Sequence, residues 1–385
     1  MFCSALFVRS PRALITAAAL AALSASPALA APTIETAARE AILIDYETRA
    51  VLLEKQADAP TPPSSMSKMM TVLMAFERLK KGDLQLTDEL PVSPKAWRMG
   101  GSKMFVMVNT KVSVGDLLRG IIIQSGNDAT VVLAEGLAGS EETFAELMTR
   151  KGREIGLTNS QFKNASGWPE DGHYMTVRDI STLASRIIRE YPDFYPIYRE
   201  KEFTYNKIKQ GNRNPLLYDS TGADGLKTGH TEAAGYGLTA SVERNGRRLI
   251  LVVNGLKSMQ QRADETRKLI EFGFREYENF RPFRAGDVVA EADVWLGTQA
   301  KVPLIVDQNT VFTLPRTARN SAKIVARYDG PIAAPIAKGD TVGRIVVETS
   351  EGKLEVPLKA GASVDRLGFM GRIAAAINYL LWGAG

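Results

Sequence analysis

The stretch Pro62-Pro63-Ser64-Ser65-Met66-Ser67-Lys68 sets three hydroxyls within four positions of one primary amine. A serine hydroxyl is a poor nucleophile until a base takes its proton. A lysine serves as that base once burial or neighbouring positive charge lowers its pKa. On a helix, side chains three or four residues apart share a face, so Ser65 and Ser64 can each meet Lys68, whereas adjacent Ser67 cannot. A helix N-terminus adds backbone N–H groups that suit a developing oxyanion. The competing reading is a helix cap, with Ser64 or Ser65 satisfying orphan amides. The spacing alone does not decide, because Ser350-Glu351-Gly352-Lys353 repeats it in a hairpin turn.

Two further stretches add polar groups. In Ile121-Ile122-Ile123-Gln124-Ser125-Gly126-Asn127-Asp128, a helical pattern breaks at Ser125 to Asn127 and restarts behind Asp128, read as an N-cap. Such a loop tip can present the Ser125 hydroxyl and the Asn127 amide to a cleft. Lys227-Thr228-Gly229 lies just ahead of a strand hairpin, where a strand edge could align an extended substrate and Gly229 could leave room for it.

These residues need a scaffold. Residues 41 to 55 read as two strands around a turn at Glu47-Thr48, and 66 to 81 as a helix. Helical periodicity dominates from Val114 to Tyr191. Strands return over 235 to 256, with Asn245-Gly246 as a tight hairpin, and a helix follows from about Arg262 to Tyr277. Strands at both ends with helices between predict an α+β domain over 31–280, an antiparallel sheet covered by helices plus a helical lobe. Short Val- and Ile-rich runs between Gly, Pro and Asp turns then predict a small all-β domain over 281–362.

The first thirty residues carry Arg9 and Arg12, an apolar run and Ala28-Leu29-Ala30, the pattern of a secretory signal peptide. Its removal would take the only cysteine, Cys3, and leave 46 basic against 43 acidic residues. So small an excess gives no reason to expect nucleic acid as a partner. The two histidines, His173 and His230, lie far apart in sequence without zinc-ligand spacing, so no metal and no cofactor are expected. His173 reads as a loop-packing residue. Over 363–385, Leu367, Met370, Ile373, Ala374, Ile377, Leu380 and Leu381 fall on one helical face of a segment too short to span a bilayer. It reads as an interfacial amphipathic helix, with Arg366 and Arg372 its only basic residues.

Taken in order, Ser65-x-x-Lys68, Ser125-x-Asn127 and Lys227-Thr228-Gly229 resemble the triple signature of penicillin-binding proteins and serine β-lactamases. Their flanks resemble the low-molecular-mass D-alanyl-D-alanine carboxypeptidases. The resemblance implies a β-lactamase/transpeptidase-like catalytic domain. It also implies Ser65 as nucleophile attacking the carbonyl between two D-alanines, with Lys68 as its base. Ser125 would relay a proton to the leaving amine, Asn127 would bind the substrate amide, and Lys227 would keep the cleft positive. Thr228 would meet the terminal carboxylate region, and backbone amides of Ser65 and His230 would form an oxyanion hole. Arg262, taken to open the last helix of the domain, matches the family arginine for that carboxylate; a guanidinium suits the bidentate task. Peptidoglycan stem peptides would be the substrate and β-lactams the inhibitors. The enzyme would be secreted across the cytoplasmic membrane and held peripherally on its outer face by the terminal helix. Three alternatives share these residues: a DD-endopeptidase, a β-lactamase and a non-catalytic wall-binding protein. The second lacks support, because no Glu-x-x-Leu-Asn segment occurs.

Overall fold

The strands expected at the two ends of the first 280 residues meet in one sheet. The structure, a computed structural model, describes residues 32–319, 322–349 and 352–382. The expected leader over 1–30 and the Ser350-Glu351 turn lie outside the described residues. Strands β1 (Glu40–Asp45), β2 (Val51–Lys55), β3 (Ala223–Thr231), β4 (Gly235–Arg244) and β5 (Arg247–Leu256) pair antiparallel in the order β2-β1-β5-β4-β3. The turn at Asn245-Gly246 closes β4 onto β5, both residues taking the positive φ that such turns demand.

The apolar run Leu249 to Val253 does not alternate with polar residues because both faces of the sheet are covered. Ile42, Ile250 and Val252 face the helical lobe. Leu43, Leu249, Leu251 and Val253 face the other way, packing with Leu269, Ile270 and Phe272 of a long helix. The lobe comprises α1 (Lys68–Lys81), α2 (Val114–Ile122), α3 (Asn127–Ala138), α4 (Glu141–Glu154) and α5 (Val177–Glu190). The long helix is α6 (Met259–Glu276), capped by the Ser258 hydroxyl, which accepts from Gln261 N–H. It therefore begins three residues before Arg262, which sits one turn inside it rather than at its start.

Tyr277–Phe280 pairs with Phe312–Pro315 and joins the sheet domain to a second lobe. That lobe is all-β: a six-stranded sheet in the spatial order Lys323–Tyr328, Thr341–Thr349, Gly352–Ala360, Lys301–Ile305, Val288–Trp295 and Ile332–Ala333. It has its own core around Val302, Leu304, Ile345, Val347 and Leu358. The joint is polar and dense. Asp45, fully buried, pairs with Arg247 at 2.9 Å and accepts from Asn279 Nδ2 at 3.3 Å; Arg281 pairs with Glu47, and Thr48 meets Thr313.

The terminal helix, α7 (Phe369–Trp382), starts later than expected. Val364 bridges to Ile336 and Arg366 to Gly297, so residues 363 to 368 are stitched into the β lobe instead. Phe369, Met370, Ile373 and Ile377 are exposed. No helix among the described residues is long and apolar enough to cross a membrane.

Candidate active site

Pro62 and Pro63 stiffen the approach to a single 3₁₀ turn, Ser64–Ser67, which feeds directly into α1. Ser64 adopts φ +48° and is buried. Its carbonyl accepts from the Ser67 hydroxyl at 3.1 Å. The turn can lie flat because two partners lack a Cβ. A Cβ on Gly229 of β3 would come within 2.1 Å of Ser64 Oγ, and one on Gly167, at φ +79°, within 1.8 Å of Ser64 O. Gly229 therefore makes room for the serine turn, a demand its sequence context did not show.

Of the two hydroxyls that could face the lysine, Ser65 does. Lys68 Nζ lies 2.8 Å from Ser65 Oγ, while Ser64 Oγ has no hydrogen-bond partner among the described residues. The ammonium also donates to Asn127 Oδ1 at 2.7 Å and to the Ser166 carbonyl at 2.5 Å. Among the described residues no carboxylate pairs with it. Lys68 is wholly buried, and that burial, reinforced by the positive charge of Arg213, pushes its pKa down to about 7. The Ser166 carbonyl is held by a loop wound on one side chain: Asn164 Oδ1 accepts from Ser166, Gly167 and Trp168 N–H. One turn along α1, Thr71 donates to the Ala165 carbonyl at 2.6 Å, fixing the same loop.

The second motif closes on this group from above. Ser125 takes φ +60° at the corner between α2 and α3. Lys227 Nζ donates to Ser125 Oγ at 3.0 Å and is likewise buried, with no acidic partner among the described residues. Burial and the charges of Lys68, Arg213 and Arg262 drive its pKa well below the usual lysine value. Lys227, Thr228 and Gly229 lie within β3, directly ahead of the β4–β5 hairpin, and β3 is the edge strand of the sheet. Asn127 is the first residue of α3, and Gly126, not Asp128, is its N-cap. The Asp128 carboxylate is claimed by tertiary structure: it accepts from the amides of Met104, Phe105 and Val106. Asn127 is committed at both ends, its Nδ2 donating to Gly100 O at 2.8 Å.

These elements enclose a cleft of about 390 Å³ lined by Ser65, Ser125, Thr228, Gly229, His230 and Arg262 from the expected set. Lys68, Lys227 and Asn127 stand behind that lining. Sequence reasoning missed Arg213, Ser102, Tyr236 and Met259, which complete it. His230 is exposed and stacks on Tyr236 at 3.9 Å between ring centroids; the Arg262 guanidinium sits 5.9 Å from the same ring. Arg262 donates weakly to Arg213 O, and its buried Nε has no partner among the described residues. Arg267 instead turns outward to Asp219. His173 packs edge-on against Phe162, as a loop-packing residue would.

A serine against a buried lysine, a second lysine–serine pair and an arginine-walled end, set between an edge strand and a helical lobe, are the arrangement of a serine acyl-transfer enzyme of the penicillin-binding type. The chain belongs to the D-alanyl-D-alanine carboxypeptidase family of serine peptidases, whose profile matches residues 25–258. A profile for the penicillin-binding protein 5 C-terminal domain matches 277–366. The chain is 39% identical over 342 residues to the D-alanyl-D-alanine carboxypeptidase DacA of Haemophilus influenzae, with 86% of each chain covered. It superposes on penicillin-binding protein 5 of that organism with a TM-score of 0.79 and 36% identity, covering 87% of this chain and 99% of that one. Its resemblance to the ampicillin-bound form of Listeria monocytogenes penicillin-binding protein D2 covers 63% of this chain and all of the other, with a TM-score of 0.58 and 30% identity.

Proposed function

We propose that this protein removes the terminal D-alanine from peptidoglycan pentapeptides through an acyl-enzyme on Ser65, and that β-lactams acylate the same hydroxyl. The observation that carries this reading is the 2.8 Å contact between Ser65 Oγ and a buried Lys68 whose pKa lies near 7. In its neutral form Lys68 accepts the hydroxyl proton as Oγ bonds to the carbonyl carbon. Backbone amides of Ser65 and His230 receive the oxyanion. As the intermediate collapses, the peptide C–N bond breaks and the leaving amine takes a proton through Ser125, which Lys227 supports. Water then hydrolyses the ester. Thr228 and Arg262 hold the free carboxylate of the departing D-alanine, favouring a terminal residue over a cross-link. Asn127 steadies Lys68 through Oδ1, and the Nδ2 hydrogen not given to Gly100 O is offered to the peptide backbone.

The leader over 1–30 exports the chain, the domains divide at about residue 280, and α7 lies in the outer surface of the cytoplasmic membrane. Four exposed apolar side chains on α7 support that placement. The test is D-alanine release from a purified pentapeptide muropeptide by the parent and by Ser65→Ala. Release by the parent alone is expected. Release by neither, with cleavage of cross-linked dimers, would make the protein an endopeptidase instead.

A further inference from the structure

Arg213 is the one cationic residue of the cleft that no motif announced, and the chain goes to some length to aim it. It stands between Asn212 and Asn214, both buried. Asn212 Nδ2 donates to Glu200 O at 3.0 Å. Asn214 Nδ2 donates to Gly225 O of β3 at 2.8 Å, while its Oδ1 accepts from Leu216 N–H. Two side-chain amides thus fix the backbone on either side, leaving the guanidinium to project into the cleft. There Nη1 donates to Ser102 Oγ at 2.6 Å. That hydroxyl is neutral, and among the described residues no acidic side chain lines the cleft. Ser102 is itself tied to the catalytic group, since its carbonyl accepts from Asn127 N–H at 2.8 Å and Asn127 Oδ1 accepts from Lys68.

We propose that Arg213 is a positioning residue for acylation: its guanidinium is fixed on Ser102, whose carbonyl holds Asn127 against Lys68, and so brings positive charge to the cleft on the lysine's side. This rests on the acyl-enzyme reading above. The groups facing Lys68 are few enough to be taken in turn. Arg213 adds positive charge from the cleft side, and Lys68 and Arg213 together depress Lys227 on β3. Arg262 on α6 acts on Lys227. His173, behind the Ser166 loop, is neutral near pH 7 because burial and Lys68 hold its pKa to about 4. Among the described residues Asp128 is the acid that acts on Lys68, and it pulls the other way. Its carboxylate is already shared among three backbone amides. Arg213 is the largest charge effect on Lys68 after burial itself.

The test follows acylation by a fluorescent penicillin across pH in the full-length parent, Arg213→Gln, Arg213→Lys and Ser102→Ala. With Lys68 near 7, about half the parent is competent at pH 7. A rise of about one unit in Arg213→Gln would leave roughly a tenth neutral, a loss of about fivefold that disappears near pH 9. Arg213→Lys should keep the parent's acid limb, and Ser102→Ala should move it part of the way. An Arg213→Gln rate lowered equally at every pH would overturn the proposal and make Arg213 a ligand contact. An equal limb shift in Arg213→Lys would assign the effect to packing. The Cε resonance of Lys68 in carbon-13 lysine-labelled protein reads the same titration without turnover. Failure of the parent to react at all would therefore sink the acyl-enzyme reading while leaving this inference open to refutation.

Discussion

Replacing Gly229 by alanine tests whether that glycine serves the protein's own serine turn. The new Cβ would stand 2.1 Å from Ser64 Oγ, 3.1 Å from Met66 Cγ and 3.3 Å from Met66 N. The first contact is impossible and the other two are tight, so either β3 or the 3₁₀ turn must move. Overpacking of this kind costs about 2 kcal/mol, which for a domain of this size lowers Tm by about 4 to 8 °C. Because Ser65 follows Ser64 directly, β-lactam acylation should slow as well. The diagnostic variant is Ser64→Ala. Its hydroxyl is buried and makes no hydrogen bond among the described residues, so removing it alone should be neutral or slightly stabilising. In Gly229→Ala/Ser64→Ala the worst contact is gone, and most of the lost Tm should return. The two substitutions would then be strongly non-additive, as expected for groups in contact. Thermal melts and acylation rates of the four proteins complete the cycle. A Gly229→Ala protein that melts like the parent, or strict additivity in the cycle, would refute the packing argument.

Three other outcomes follow from the same geometry. His173, buried with both ring nitrogens unpartnered among the described residues, has a pKa held near 4 against about 6.5 when unfolded. The unfolded chain binds the extra proton first as pH falls, so about 3 kcal/mol of stability should drain away between pH 6.5 and 4. In His173→Phe, urea melts should show a flatter dependence over that interval. Asn164→Ala strips the acceptor from three backbone amides and should cost about 2 to 3 kcal/mol. It should also slow acylation more than thermal stability alone explains, because the Ser166 carbonyl on Lys68 loses its support. Deleting residues 369–385 should abolish co-sedimentation with zwitterionic vesicles while leaving D-alanine release from a soluble peptide intact. With Arg372 the only basic residue of α7, added salt should weaken vesicle binding by the full chain only slightly.

The legible part of the site is the part encoded locally. Ser65 and Lys68 are three residues apart, and helical geometry alone brings them together. The Lys227-Thr228-Gly229 run lies in a stretch whose strand character sequence patterns can suggest. The misreadings all involve partners distant in the chain. Asp128 has the propensity of an N-cap, but the 104–106 amides reach its carboxylate first. Gly229 owes its identity to Ser64, 165 positions away. Arg213 carries no spacing signal; only the flanking Asn212 and Asn214 hint that its backbone is pinned, and asparagine is common in loops for other reasons. Residues 363 to 368 look like the start of a helix, and what ends that expectation is pairing with Ile336 and Gly297.

The knot around Asp45 ties the two lobes through a buried carboxylate. One buried carboxylate is held by Arg247 of the sheet and by Asn279 at the start of the second lobe, and Arg281 clasps Glu47 beside it. The β lobe is in turn sewn to the base of α7 through Val364 and Arg366. Few swivels remain between the serine and the end of the strut. On the proposed placement of α7 at a membrane surface, such a tool would work at a single altitude, and glycan layers above or below that height would pass out of its reach.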